Sequence, residues 1–379
     1  MAKKKRLTKK EKLKQKKRMG RTKRRIVFSV VLLVLSFLLF SFGRISFLAD
    51  YHAQNVYPLI AKALGSVSSL LPYSIAEILL YIVILWLVLM FLLIIISLIR
   101  KSHKVLSRLS KILLTISIVL FMYEMNCGIL YHRTSFEETN GYTRIIRLQE
   151  KASDQVKIQM LQSLCEYLVG QVNLENEEAH SVSYTFEEEG SIAKDSVIKL
   201  QSDYECLSGS VFIPKYLHYP IILSVQKVTG VFSPFTIEAN VNSDIPAYNI
   251  PFVMCHELSH LLGYMEEQEA NFIAFLSCIQ SDNAWFRYCG HLYGFVYAGN
   301  ALASVDYETY EEVYSKLNEV SAAELQENNV FWKQYDGKIA ETHETMNDSY
   351  LKANGQSDGT ASYDRVTELM LAWFSQRKQ

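Results

Sequence analysis

The chain has 379 residues and a formal net charge of zero, with 39 Lys+Arg against 39 Asp+Glu. That balance hides two unequal halves: residues 1–130 hold 22 basic and 4 acidic residues, a net of +18, and residues 131–379 hold 17 and 35, a net of −18. Two halves of opposite charge exclude a uniform soluble globule, and the acidic half excludes nucleic acid as its partner.

The chain opens on a tail to Arg25 carrying 15 Lys+Arg. Three apolar runs follow, at about Ile26–Phe42, Ile75–Ile99 and Ile112–Leu130. Each is near the length of a membrane-spanning helix, the first being the shortest. The segment from Arg44 to Ser74 carries only Arg44 and Lys62, whereas the Arg100–Lys111 connection carries five basic residues. By the distribution of basic residues, the N-terminus lies inside, the first loop outside, the second inside and everything after about Tyr131 outside. No small-x-small cleavage site follows the first run, so it reads as an uncleaved anchor in a multi-pass protein of the cell membrane. Beside a span, the basic tail reads as membrane retention on anionic lipid. Glu124 and Asn126 fall at the outer end of the third run, where an interfacial carboxylate is expected.

These features divide the chain into a basic cytoplasmic tail (1–25), a membrane domain of three helices (26–130) and an extracytoplasmic domain (131–379). The last is long enough for one sizeable core. Asp154–Val172 has helical spacing of apolar residues, and Glu308–Leu325, Asn329–Met346 and Tyr363–Arg377 also read as helices. Ser181–Phe186 and Ser196–Leu200 alternate like short strands. Pro234–Asn242 reads as an extended strand ending at the turn Ser243-Asp244-Ile245-Pro246. The fold class is mainly α with a small β-sheet. Six cysteines form neither a CxxC pair nor a visible framework, and buried free thiols are expected.

The chemistry concentrates in Pro251–Phe275. His256-Glu257-Leu258-Ser259-His260 places two imidazoles one helical turn apart, on one face. The flanks Phe252, Val253, Met254, Leu258, Leu261 and Leu262 are apolar, so the three polar groups interrupt a buried segment. Burying them unpartnered would cost several kcal/mol, a cost that a bound metal removes. This is the HExxH signature of zinc proteases, with His256 and His260 as Zn2+ ligands and Glu257 as general base. Pro251 suits the first turn of the helix and Gly263 a left-handed cap at its end, with a second helix starting near Glu266. The third ligand is drawn from Glu266, Glu267 and Glu269. Glu267-Gln268-Glu269-Ala270-Asn271 is similar to the pattern of proteases with a Glu ligand, where a residue one turn later holds a ligand His. Glu267 is thus favoured as ligand, Asn271 as its supporting partner and Glu269 as runner-up. A donor for the oxyanion is sought among His291, Tyr293, His343, Tyr363 and Arg365, with Tyr363 preferred. By resemblance to zincins, the strand before the motif helix would be an edge strand that takes a peptide through main-chain groups near Ala239 and Asn240.

The stretches GILYHRTSFEE, PFTIEANVN, HELSHLLGYMEEQEANFIAF and YLKANG…ASYDRV together resemble a family of uncharacterised bacterial membrane proteins defined by a domain of unknown function. Its layout is similar: N-terminal spans followed by an HExxH domain. Ile237 stands where that resemblance implies a small residue, often Gly. The resemblance implies a zincin-like metallopeptidase acting on exported peptides or proteins. The alternative from another class is a non-catalytic, metal-binding sensor or scaffold.

Overall fold

The structure is a computed structural model that describes residues 8–354 and 365–377. Tyr363, the preferred oxyanion donor, lies outside the described residues. Helix α1 (Lys9–Gly43) carries the basic tail directly into the first apolar run. It is followed by α2 (Ser46–Tyr51), a π-helical turn (His52–Val56) and α3 (Tyr57–Ser68). Helices α4 (Ile75–Ile99) and α5 (Val105–Asn126) carry the second and third runs. Among the described residues, three segments are long and apolar enough to cross a membrane: Leu13–Gly43, Ile75–Ile99 and Val105–His132. Their large apolar side chains are mostly exposed, as a lipid-facing surface requires.

The globular part is helical apart from one sheet. Short helices α6 (Phe136–Thr139) and α7 (Tyr142–Glu150) lead to the long α8 (Asp154–Ala179) and α9 (Phe186–Asp203). Strand β1 (Lys215–Tyr216), helix α10 (Ile221–Ser224), and strands β2 (Gly230–Ser233) and β3 (Glu238–Val241) precede the motif helix α11 (Asn249–Leu261). Then come α12 (Glu267–Ile279), α13 (Ala284–Val305), α14 (Tyr307–Tyr314), α15 (Glu319–Lys333), α16 (Lys338–Ala353) and α17 (Arg365–Arg377). Helices α11, α12 and α13 form the centre, with Phe252, Phe272, Phe275, Phe286 and Phe295 fully buried.

The two strands expected at Ser181–Phe186 and Ser196–Leu200 are not formed. The second lies inside α9, which opens with a capping box between Thr185 and Glu188. Its buried residues Gly190, Ala193, Val197 and Leu200 recur at helical spacing, and a five-residue window mistook this for alternation. The sheet order is β1-β3-β2, with β1 parallel and β2 antiparallel to β3. The strand expected at an edge is therefore central. Ala239 and Asn240 pair with Phe232 and Val231, and Asn240 also with Lys215, so their main chain already serves sheet neighbours. The edges of the sheet are β1 and β2.

Residues 46–68, assigned from sequence to the membrane part, pack on the globular part. The Tyr57 hydroxyl donates to the Leu261 carbonyl at the end of α11 (2.9 Å), one of the carbonyls a helix end leaves open. The start of α4 is clamped to the sheet. The Glu238 carboxylate on β3 accepts from the backbone N–H groups of Ile75 (3.1 Å) and Ala76 (2.7 Å) and from Lys215 Nζ on β1 (2.5 Å). Lys215 Nζ also donates to the carbonyls of Ser68 and Tyr73. A buried ion pair is thus spread over a helix N-terminus and two loops, where its charges find enough partners.

Candidate functional site

The motif helix ends at Gly263, whose φ of +89° is left-handed. Gly263 N–H donates to the His260 carbonyl (2.9 Å) and Tyr264 N–H to that of Ser259 (3.2 Å), the two bonds of a Schellman cap. The cap has a chemical consequence. It brings the Tyr264 carbonyl to 2.7 Å from His260 Nδ1, which must donate to it. The proton is then on Nδ1, and Nε2 presents its lone pair.

Three residues beyond Tyr264, α12 begins with Glu267. Its carboxylate oxygens stand 3.4 Å from His256 Nε2 and 3.8 Å from His260 Nε2. The two imidazole rings are 4.6 Å apart, nearly perpendicular. One ligand atom from each of His256, His260 and Glu267 lies within 4.8 Å of the other two. The other two acids point elsewhere. Glu269 is buried and accepts from Phe136 N–H, and Glu266 accepts from Gln268 Nε2 (2.5 Å) and lies against Arg365. Asn271, one helical turn beyond Glu267 on α12, lies beside the His256 ring and favours its protonated form, while Tyr264 holds the His260 ring.

Burial lowers His260 to about 4, and His256 beside it adds to this, so the ring is neutral. Burial opposes charge on His256 as well, but the bond and proximity to Glu267 carry it above its ordinary value. Glu257 is pushed up to about 8 by burial. Its Oε2 is buried without a hydrogen-bond partner, as is Asn271 Nδ2. Orphaned buried carboxylate oxygens are costly, and here one lies one residue from a cluster of metal-type donors. Two imidazoles and one carboxylate are one donor short of the tetrahedral set that a divalent transition ion takes, so the residues fit such an ion.

A cleft of about 1190 Å³ opens over this cluster. Its floor is His256, Glu257, His260 and Glu267; one wall is β2 with Pro234 and Phe235, another is α16, and a third is the end of α5 and the 3-10 turn after it (Gly128–His132), with Tyr123, Cys127 and Tyr131. Gly230, the first residue of β2, was not singled out from sequence: a Cβ there would lie 2.5 Å from Glu257 Oε1 and 2.8 Å from Cγ. Tyr350 was also missed. On α16, it meets the hydroxyls of Tyr123 (3.2 Å) and Tyr131 (3.3 Å) and ties that helix to the membrane part. No short motif marks either residue.

Of the remaining oxyanion candidates, His343 and Tyr293 line the cleft, Tyr293 stacked on Phe252 at 3.9 Å. His291 does not: it is buried, with Nδ1 2.8 Å from a Glu175 carboxylate that also pairs with Arg287. Arg365 sits with Glu266 rather than in the cleft. Ala239 and Asn240 do not line it either, since they lie behind β2. All six cysteines are free thiols.

A family model described as a protein of unknown function, DUF3810, matches residues 52–371. The chain belongs to this family. The DUF3810 match takes in α3 through most of α17, and therefore the whole cleft, while α1 lies before it. No curated protein and no solved structure matches the chain.

Proposed function

We propose that this DUF3810 protein is a membrane-anchored zinc metallopeptidase with a zincin-like site that cuts exported peptides or proteins. One observation carries the reading: two imidazole nitrogens and a carboxylate within 4.8 Å of one another, on the floor of an open cleft, next to an unpartnered buried carboxylate. His256, His260 and Glu267 would hold the ion. Zn2+ bound by three protein ligands acidifies water and polarises a carbonyl. Glu257 accepts the proton at Oε2 and delivers it to the leaving amine. His260 is kept in the ligating tautomer by Tyr264, and Asn271 lies beside the His256 ring. His343 and Tyr293 are the donors available to a developing oxyanion. A peptide would add as a strand along the outer edge of β2, beside Val231 and Phe232, rather than at Ala239 and Asn240. The cleft faces outward if the 15 basic residues of the tail stay in the cytoplasm.

The test is metal analysis of the detergent-purified full chain, paired with turnover of a quenched fluorescent peptide library. Wild type is expected to hold one equivalent of zinc. Glu257→Gln keeps that zinc and loses about 10²- to 10⁴-fold in turnover, whereas His260→Ala loses the metal. Wild type without metal sinks the proposal, wild type with metal but no turnover leaves only a metal-holding scaffold, and intact turnover in Glu257→Gln overturns the role given to Glu257.

A further inference from the structure

The cleft's height above the bilayer follows from two contacts between the globular part and the spanning helices. The first is at α4. Glu77 in its first turn accepts from the backbone N–H groups of His218 (2.8 Å) and Tyr219 (3.1 Å), and the Tyr219 ring packs edge-on against Tyr81 at 6.2 Å. Tyr81 lies six residues into α4, about 9 Å along its axis. A helix of 25 residues is roughly 37 Å long against a hydrocarbon core of about 30 Å, so some 3–4 Å is left over at each end. Tyr81, and Tyr219 level with it, thus fall about 5–6 Å inside the hydrocarbon edge, with their hydroxyls in reach of the interface where tyrosine is favoured.

The residues after Tyr219 carry the same mark. Tyr219 is 53% exposed, Ile221 46% and Ile222 43%, although they belong to the globular part. Exposed isoleucines two and three residues from a bilayer-level tyrosine are covered by lipid. Four residues beyond Ile222, Gln226 already lines the cleft, and β2 follows. The second contact is at α5. Tyr123 and Cys127 line the cleft from the upper end of α5, and Asn126 Nδ2 donates to the Pro234 carbonyl at 2.7 Å. Two walls of the cleft, β2 and the end of α5, are therefore tied to the spanning helices.

We propose that the substrate is the juxtamembrane segment of another membrane-anchored polypeptide, entering the cleft as it leaves the bilayer. This rests on the peptidase reading and names its substrate class. A chain tethered in the same bilayer arrives at the right height and at high effective concentration, while a soluble peptide meets a cleft whose lower rim is in lipid.

The test places the full chain in vesicles with a single-span polypeptide. Its external stalk is a repeating sequence of about 30 residues, roughly 100 Å when extended. The same stalk without the span serves as control, and cuts are mapped by mass spectrometry. Cleavage is expected within about 10 residues of the span, at least about tenfold faster than for the free stalk. Cuts spread evenly along the stalk, or equal rates for the free stalk, overturn the proposal. If neither is cut, the peptidase reading fails and takes the substrate with it. An independent arm reads the height alone: a dye on Ile222→Cys, in a Cys206→Ser background because the other five thiols are buried, is quenched by headgroup-level nitroxide lipids. An unquenched dye removes the geometric basis whatever the activity.

Discussion

Gly230 sets the position of Glu257 by leaving room for it. Gly230→Ala puts a methyl group into the carboxylate, which must swing away because the rest of its surroundings are packed. The expected outcome is a drop of roughly 10- to 100-fold in peptide turnover with unchanged metal content, read by the zinc and fluorescence assays. Asn271→Ala removes the side chain beside the His256 ring and is expected to weaken metal binding about 10- to 100-fold in competition with a chromophoric chelator. Far from the cleft, Glu189 gives a pH test. It is buried, accepts from Trp285 Nε1 (2.8 Å) and is raised by burial from 4.5 to about 7. Below pH 4.5 both folded and unfolded chains hold the proton. Between 4.5 and 7 only the unfolded chain releases it, so stability falls, and the penalty is complete above 7. Glu189→Gln is expected to flatten that fall, gaining on the order of 1–3 kcal/mol at pH 8 but little at pH 4, by thermal unfolding in detergent. At this scale the sequence was most legible where spacing alone dictates geometry, as for His256 and His260, since an α-helix leaves i and i+4 no choice but one face. Separating Glu267 from Glu266 and Glu269 rested on the likeness of Glu267–Asn271 to proteases with a Glu ligand, because spacing alone leaves all three acids within the same turn. Ile237 is the converse. A small residue was expected there, and Ile237 has φ +53°, which costs a β-branched residue about 1–2 kcal/mol, yet its side chain is fully buried, worth more than that.

The lesson among the elements is that short, distant partners leave no local trace. β3 reads as a strand from its residues, but its central place depends on β1, two residues long, and on β2, whose alternation is weak. An edge and a centre differ only in what lies beside them, which periodicity along one strand does not encode. Helix α9 failed for a related reason, as a short window saw alternation inside an 18-residue helix. The clamp that holds β1, β3 and α4 together was likewise invisible, because Lys215 and Glu238 lie 23 residues apart on different strands. Lys215→Met leaves the Glu238 charge buried with backbone N–H groups alone. A loss of roughly 3–5 kcal/mol is expected in denaturant unfolding, whereas replacing both residues by apolar ones costs much less.

For the whole molecule, hydropathy was sufficient to find the three helices that are long and apolar enough to cross a membrane, because lipid demands long uninterrupted apolar runs. It was not sufficient to find the border of the globular part. Residues 46–68 are polar enough to pass for a loop, and only their contacts reveal them as part of the fold. The opposite charges of the two halves keep the acidic part from anionic substrates, and basic peptides are expected to have lower KM than acidic ones of equal length, with the difference shrinking as salt is raised.

The Glu238 clamp and the Tyr57 bond also determine where a scalpel can be applied. A fragment severed at residue 131 forfeits the amides of Ile75 and Ala76, the carbonyls of Ser68 and Tyr73, the Tyr57 hydroxyl and the Asn126 amide. Each loss strands a partner in the part that is kept, so such a fragment is expected to precipitate or elute as aggregates in size-exclusion chromatography. A chain starting at residue 46 retains every one of them and is expected to migrate as a folded species in detergent. The unit that folds is thus half membrane protein, and its bilayer helices are a component of its architecture rather than a leash.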